Sequence, residues 1–324
     1  HISQMMFSLL LAAALLLGLY VVLYLTVISQ PRCKSEAKLH GKTAIVTGAN
    51  TGIGKAVARD LARRGARVIL ACRDQQRAEA ARQDIVKETG SSQVLLMQLD
   101  LGNLQSVRSF AENFLKSESR LDLLINNAGV ADRGKTADSF GLNFGVNHLG
   151  HFLLTNLLLD KLKASGPSRV VTVSSITYKM GKVDFSCLTT HRDVALGNSD
   201  RDAFIKYCHS KLCNILFTYE LAKRLQGSDV TCYSLEPGMV NTEISRHGTF
   251  FTQVIWTLVG LLFSIDVDSG AQTILHCSLQ QGIEHLSGHF FSRCAPLMNM
   301  EPKARDDATA KKLWELSETF CGLS

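Results

Sequence analysis

Tyr207-Cys208-His209-Ser210-Lys211 sets a phenol and an ammonium four residues apart, and on a helix that spacing puts both on one face. A phenol with its ordinary pKa near ~10 exchanges protons poorly at neutral pH. A neighbouring ammonium stabilises the phenolate, and each unit of lowering corresponds to about 1.4 kcal/mol. Tyr207 can then pass a proton to or from a substrate oxygen while a nicotinamide exchanges hydride with the carbon. Such a pair alone is more often surface decoration, so its company matters. Ser174 and Ser175 close a strand expected over Arg169 to Val173, and a hydroxyl at that edge can donate to a carbonyl oxygen and share its developing charge.

A second constellation lies near the start of the chain. Thr43-Ala44-Ile45-Val46-Thr47-Gly48-Ala49-Asn50-Thr51-Gly52-Ile53-Gly54-Lys55 is a strand, a glycine-bearing turn and a helix start. Gly48, Gly52 and Gly54 let the chain turn tightly and bring backbone N–H groups of Asn50, Thr51, Ile53 and their neighbours against a pyrophosphate at the helix N-terminus. The next strand, Arg67 to Ala71, runs into Cys72-Arg73-Asp74, with Arg73 nineteen residues beyond Gly54. An acidic residue at that strand end selects NAD through the ribose hydroxyls, whereas an arginine pairs with the extra phosphate of NADP. Cys72 occupies the place of the acidic residue, which favours Arg73, with Lys55 as a second cation, and so NADP(H). The alternative puts Asp74 on the ribose and leaves Arg73 solvated.

The elements that must position these groups alternate. Strands are expected at Thr43 to Thr47, Arg67 to Ala71, Val94 to Gln98, Leu121 to Ile125, Arg169 to Val173 and Val230 to Ser234, with helices between them. Short, continuously apolar strands separated by helices imply a parallel sheet covered on both faces. Right-handed crossovers make it α/β and doubly wound, of the Rossmann type. One such domain is expected over 41–322, behind an extension (1–4), an apolar segment (5–28) and a polar linker (29–40).

From Met5 to Ile28 the chain runs 24 residues without a charge, roughly 36 Å as a helix at 1.5 Å per residue, enough to span a bilayer. A cleaved signal peptide over 1–29, and hence secretion, is the rival. Its apolar region should be shorter and follow a positive start. Arg32, Lys34, Lys38 and Lys42 follow the segment, which keeps the rest of the chain in the cytosol by the positive-inside rule. The chain starts at His1, with Met5 and Met6 just downstream, so its first residues are expected to be read-through or artefact. The composition, 46% hydrophobic and 20% charged with five prolines, excludes a disordered or collagen-like chain. Its charge of +6 is scattered, so nucleic acid is not an expected partner. Nine cysteines form no C-x-x-C pair and read as packed, reduced thiols.

Thr47-Gly48-x-x-x-Gly52-x-Gly54, Asn126-Asn127-Ala128-Gly129, Ser175, Tyr207-x-x-x-Lys211 and Pro237-Gly238 resemble, in order and in placement, the motifs of the short-chain dehydrogenase/reductase superfamily. The apolar segment, Ala71 to Asp74, Asn147-His148-Leu149-Gly150-His151-Phe152 and Leu286-Ser287-Gly288-x-x-Phe291 are similar to its membrane-bound retinol dehydrogenase branch. That resemblance implies an NADP(H)-dependent enzyme of the endoplasmic reticulum membrane, single-pass with a cytosolic domain, interconverting a lipophilic alcohol and its carbonyl. Retinol and retinal are the first candidates, and a steroid or lipid-aldehyde reductase is the alternative. It implies Tyr207 as acid/base, Lys211 lowering its pKa and holding the ribose, Ser175 positioning the substrate oxygen, and Asn147 holding a water that links Lys211 to solvent. It also implies Asp100 by the adenine, Asn127 beside the cofactor, and Pro237, Gly238, Val240 and Thr242 around the nicotinamide; a homo-oligomer is compatible with it. Glu236 stands where retinoid-active relatives usually carry His. A different class, an idle membrane protein that only binds the dinucleotide, would have lost Tyr207, Lys211 or Ser175, and all three are present.

Two stretches sit outside these motifs. Asp184 to Asp202 lengthens the interval from Ser175 to Tyr207 to 32 residues and is expected as a surface excursion at the mouth of the site. Phe250 to Phe263 is apolar but short for a span and is expected as an interfacial lid or a packing helix. His148 with His151, and His285 with His289, lack a third ligand at a familiar spacing, so no metal site is expected.

Overall fold

The computed structural model describes residues 2–24, 30–238, 240 and 265–323. The strands are β1 (Thr43–Thr47), β2 (Arg67–Cys72), β3 (Val94–Gln98), β4 (Leu123–Asn126), β5 (Ser168–Val173), β6 (Val230–Glu236), β7 (Phe290–Ser292) and β8 (Ala295–Pro296). They lie in the order β3-β2-β1-β4-β5-β6-β7-β8. Every pairing is parallel except β7 with β8.

The burial pattern explains the layers. Along β1, Ile45 points into one core while Ala44 and Val46 point into the other, as a pleated strand buried on both faces requires. Helices α2 (Gly52–Arg63), α3 (Gln75–Thr89) and α9 (Val267–Leu279) cover one face. Helices α4 (Leu104–Ser117), α6 (Gly150–Ser165), α8 (Asp200–Arg224) and α10 (Asp307–Cys321) cover the other. This is the doubly wound α/β fold expected from the alternation. Phe152, Leu153, Leu154, Leu158 and Leu162 are fully buried, so the Leu-rich run of α6 is core. The expected strands all form, with ends moved by a few residues. β7 and β8 are additions, too short for their periodicity to show in the chain.

Helix α1 (Ile2–Leu23) contains a 19-residue span, Gln4–Val22, long and apolar enough to cross a membrane, and none of it is buried. The linker after it is tied to the domain as an extended strap. Cys33, Ser35, Ala37 and Leu39 face inward and Arg32, Lys34, Glu36 and Lys38 outward, the two-residue alternation of extended chain. Cys33 N donates to Gln272 Oε1 (3.0 Å) and Ser35 Oγ to the Leu279 carbonyl (2.9 Å), both on α9. Arg64 Nη1 donates to the carbonyls of Ser35 (2.8 Å) and Ala37 (3.2 Å). The nine cysteines are free thiols, seven buried and two half-buried.

The polar stretch between Ser175 and Tyr207 is anchored rather than merely superficial. Asp184 caps the short helix α7 (Phe185–His191) by accepting from Cys187 N (3.0 Å), and Leu188 and Val194 are fully buried. Lys206 pairs with Asp193 at 2.7 Å. Residues 250–263 lie outside the described residues.

Candidate active site

All the predicted groups that can be placed gather at the carboxyl edge of the sheet, where the chain leaves the neighbouring strands β1 and β4 in opposite directions along the sheet and the strand order reverses. At the end of β1, Gly48 has φ +66° and Gly52 has φ +54°, a region that side chains rarely enter. A Cβ on Gly54 would lie 2.4 Å from the Gly48 carbonyl oxygen and 2.5 Å from Asn127 Nδ2, so only glycine fits there. Thr51, just before α2, provides no side-chain cap, unlike Asp74, Asn103, Ser199, Asp266 and Asp306 before α3, α4, α8, α9 and α10. The first-turn N–H groups of α2 are therefore not taken by that residue, as a pyrophosphate cradle requires. The structure thus fits a dinucleotide on this turn. Gly54→Ala should weaken binding of a nicotinamide dinucleotide by roughly 5- to 150-fold, the range that ~1–3 kcal/mol of overpacking gives, as read by a fluorescence titration.

Other predicted cofactor residues surround the turn. Asn127 Nδ2 donates to the Thr47 carbonyl (2.9 Å), and the N–H groups of Asn127 and Ala128 donate to Thr47 Oγ1 (2.9 and 3.0 Å), locking the end of β1 to the end of β4. Ideal Cβ placement on Gly270 of α9 would meet Val240 at 2.5 Å and Ile53 at 3.3 Å, so Val240 lies beside the glycine turn. Gly238, following Pro237, abuts the Gln30 side chain of the strap. Asp100 Oδ1 accepts from Gly102 N (2.9 Å) within its own loop. Lys55 Nζ pairs with Asp84 at 2.5 Å, so this expected phosphate partner already has an anion. Arg73 is exposed beyond β2. Its rival Asp74 spends a carboxylate oxygen on Arg77 N (3.0 Å), capping α3. Thr242 lies outside the described residues.

The reacting groups come from α8 and β5. A capping box at Ser199 and Asp202 starts α8, and two turns in it presents Tyr207 and Lys211. Lys211 is buried, and its Nζ donates to the Val173 carbonyl at 3.1 Å. Ser174 Oγ donates to the Lys211 carbonyl at 2.7 Å, fixing helix against strand. The Lys211 Nζ stands 5.3 Å from the centre of the half-buried Tyr207 ring, so the four-residue spacing does bring the pair together. Ser175 Oγ accepts from Thr177 N (3.2 Å) and Thr177 Oγ1 (3.0 Å), and its hydroxyl acts to lower the pKa of the Tyr207 phenol.

The electrostatics differ from the simple expectation of a phenol lowered by its lysine. Burial pushes Tyr207 up to about 12, with the Ser175 hydrogen bond opposing it. Burial pulls Lys211 down to about 8. Desolvation sets the direction for both groups, because removing a charge from water is costly in so enclosed a place. At neutral pH the phenol therefore keeps its proton and the lysine its charge.

Asn147 is fully buried in a π-helical turn, Gly145–Leu149, between α5 (Leu142–Phe144) and α6. Its Oδ1 accepts from Val130 N (2.8 Å), and its Nδ2 donates to the Val130 carbonyl (2.9 Å) and to Ser210 Oγ (2.9 Å). A Cβ on Gly129 would meet Lys211 Nζ at 3.4 Å and Asn147 Oδ1 at 3.5 Å. Lysine and asparagine thus flank one glycine. The histidines weighed as ligands have other partners: His148 Nε2 meets Ser317 Oγ, and His151 Nε2 meets Thr47 Oγ1, each at 2.9 Å. The sequence favours satisfied histidines over ligands here, and the place of His151 one turn beyond Asn147 is the signal for its contact with that residue.

This arrangement, a glycine cradle at the switch point with a Ser-Tyr-Lys cluster beside it, is the one that short-chain dehydrogenases share, and the model of the family "short chain dehydrogenase" matches residues 42–190. The chain belongs to the short-chain dehydrogenase/reductase family of oxidoreductases, which act on CH–OH groups of small molecules. Among its relatives is the dehydrogenase/reductase SDR family member 13 of Bos taurus, 49% identical over 98% of this chain and 82% of that one. Retinol dehydrogenase 11 of Homo sapiens is 49% identical over 90% of this chain and 89% of its own. These relatives set the chain on the retinol dehydrogenase branch. A crystal structure of an uncharacterized protein from Mycobacterium Paratuberculosis is also similar, with a TM-score of 0.71 at 34% identity, over 91% of this chain and 98% of that one.

Proposed function

We propose that this chain is an NADP(H)-dependent reductase of lipophilic aldehydes and ketones, retinal first among them, anchored by α1 in the endoplasmic reticulum membrane with its domain in the cytosol. The observation that carries the reading is the Ser175–Tyr207–Lys211 cluster at the carboxyl edge of the sheet, next to a turn whose glycines leave room for a pyrophosphate. The names of the relatives support retinoids, and the apolar helix α1 supports the membrane.

A bound NADPH would supply the hydride; the protein's residues supply the proton and the electrostatics. The carbonyl oxygen receives hydrogen bonds from the Ser175 hydroxyl and the Tyr207 phenol, and as negative charge develops on it the phenol gives up its proton. Lys211 remains cationic below about pH 8 and stabilises the tyrosinate left behind. Asn147, held rigidly against Val130 and Ser210, lies beside Lys211, placed to hold a water through which a proton returns from solvent. A phenol that holds its proton at neutral pH favours the reductive direction.

For the cofactor, exposed Arg73 supports NADP, since the Asp74 carboxylate is engaged in capping α3. Gly48, Asn50, Thr51, Gly52, Ile53 and Gly54 would hold the pyrophosphate, and Asn127, Lys211, Pro237, Gly238 and Val240 the nicotinamide half. Arg73→Ala should raise the KM for NADPH by roughly tenfold or more, as expected for a lost charge-assisted pair, and leave that for NADH nearly unchanged. Equal changes for both cofactors would remove Arg73 from this role. Glu236, at the end of β6, accepts from Ser292 Oγ on β7 at 2.6 Å, so in place of the histidine of retinoid-active relatives this chain has an inter-strand hydrogen bond. Assaying retinal beside long-chain aldehydes and ketosteroids tests whether that change moves the preference toward the steroid or lipid-aldehyde alternative.

A further inference from the structure

His151 lies on α6 one turn beyond Asn147 and is 1% exposed. Its Nε2 is 2.9 Å from Thr47 Oγ1, and its Nδ1 is 3.1 Å from the Asn147 carbonyl oxygen. Counting hydrogens assigns the tautomer. Thr47 Oγ1 already accepts from the N–H groups of Asn127 and Ala128 and has one hydrogen to give. Its acceptors are His151 Nε2 at 2.9 Å and the Ile125 carbonyl at 3.4 Å, and the closer makes the stronger bond. Nε2 is therefore the acceptor, and Nδ1 carries the hydrogen donated to Asn147. Burial, with a smaller push from the Lys211 cation, holds the ring down to about 4, so it stays neutral through the physiological range and the direction of the chain does not reverse.

One ring thus grips two parts of the site. Thr47 ends the strand from which the dinucleotide turn departs, and its side chain and carbonyl organise Asn127. Asn147 sits beside Lys211 and is joined through Ser210 to the carbonyl of Tyr207, to which Ser210 Oγ donates at 2.7 Å. The geometry points to His151 as a positioning residue with two separable roles: through Nε2 it holds the cofactor cradle, and through Nδ1 it holds the asparagine of the proton relay. This rests on the catalytic reading above for its second role only.

The test uses the full-length chain in membranes and three variants. His151→Leu lacks both contacts. His151→Asn keeps a donor near the place of Nδ1, and His151→Gln an acceptor near the place of Nε2. NADPH dissociation constants come from fluorescence titration, and kcat from carbonyl reduction, both below the unfolding temperature of each variant. The leucine variant should show a dissociation constant for NADPH about tenfold higher and a kcat about tenfold lower, the magnitude of one buried hydrogen bond each. The asparagine variant should recover kcat but not NADPH affinity, and the glutamine variant NADPH affinity but not kcat. Should the leucine variant fail to fold, the crossed pattern of the other two decides alone. If all variants keep wild-type affinity and kcat and merely melt earlier, His151 is a packing residue and the inference is overturned. If the wild type reduces no carbonyl, the catalytic reading fails on its own. The Thr47 role then stands or falls on whether the glutamine variant binds NADPH more tightly than the asparagine variant.

Discussion

Tyr207→Phe is expected to lower kcat for carbonyl reduction by about 10³-fold, within the ~10²–10⁴ that a positioned general acid contributes. The substitution removes one oxygen and little volume, so the half-buried ring can keep its place on α8 beside Lys211. What disappears is the proton that the phenol retains at neutral pH, with burial holding its pKa up to about 12. NADPH affinity should change little, because the glycine turn and Arg73 are untouched. Steady-state kinetics beside an NADPH titration separates the two quantities. Equal turnover by both proteins would dismiss the phenol as the acid.

Lys211→Met has the next largest expected effect, a loss of roughly 10²-fold in kcat, and it carries a pH signature. In the wild type, kcat for reduction should fall as pH rises through about 8, where Lys211 loses its charge. In the methionine variant that limb should be absent and the residual activity flat. Stability provides an independent check. The folded-state pKa of Lys211 lies below its ordinary value of 10.5, so between about pH 8 and 10.5 the unfolded chain binds more protons than the folded one. Wild-type stability should therefore gain, from this group, as pH rises through that window, and the variant should lack that gain. A thermal melt series from pH 7 to 10 reads it. An alkaline kinetic limb unchanged in the variant would assign it to another group.

Much of this site was legible in the chain because its parts obey local rules. The turn at Gly48, Gly52 and Gly54 announces itself through residues that only special backbone geometry demands. The four-residue spacing of Tyr207 and Lys211 survives in α8 as two side chains near one another, and Ser175 ends its strand as the apolar run before it required. What was not legible depends on tertiary placement. Lys211 next to Tyr207 suggested a lowered phenol, whereas the depth at which the fold sets both groups reverses the net direction. The π-helical turn that carries Asn147 has no local signature, and so the contact of His151 with its carbonyl was hidden. β7 is three residues long and forms because β6 offers it an edge. The strap was expected as a polar linker, since hydrogen bonds from Cys33 and Ser35 to α9, some 240 positions away, leave no trace in composition.

On the proposed function, a hydride and a proton pass to a lipophilic carbonyl at Tyr207. The most direct test is a single turnover of the full-length protein in membranes with NADPH deuterated at the transferring carbon and a panel of retinal, long-chain aldehydes and ketosteroids. The expected result is one equivalent of alcohol per NADPH consumed, with the deuterium on the carbinol carbon of at least one product. Saturable NADPH binding with no deuterated alcohol from any member of the panel would contradict it and leave a membrane-tethered dinucleotide sensor in its place.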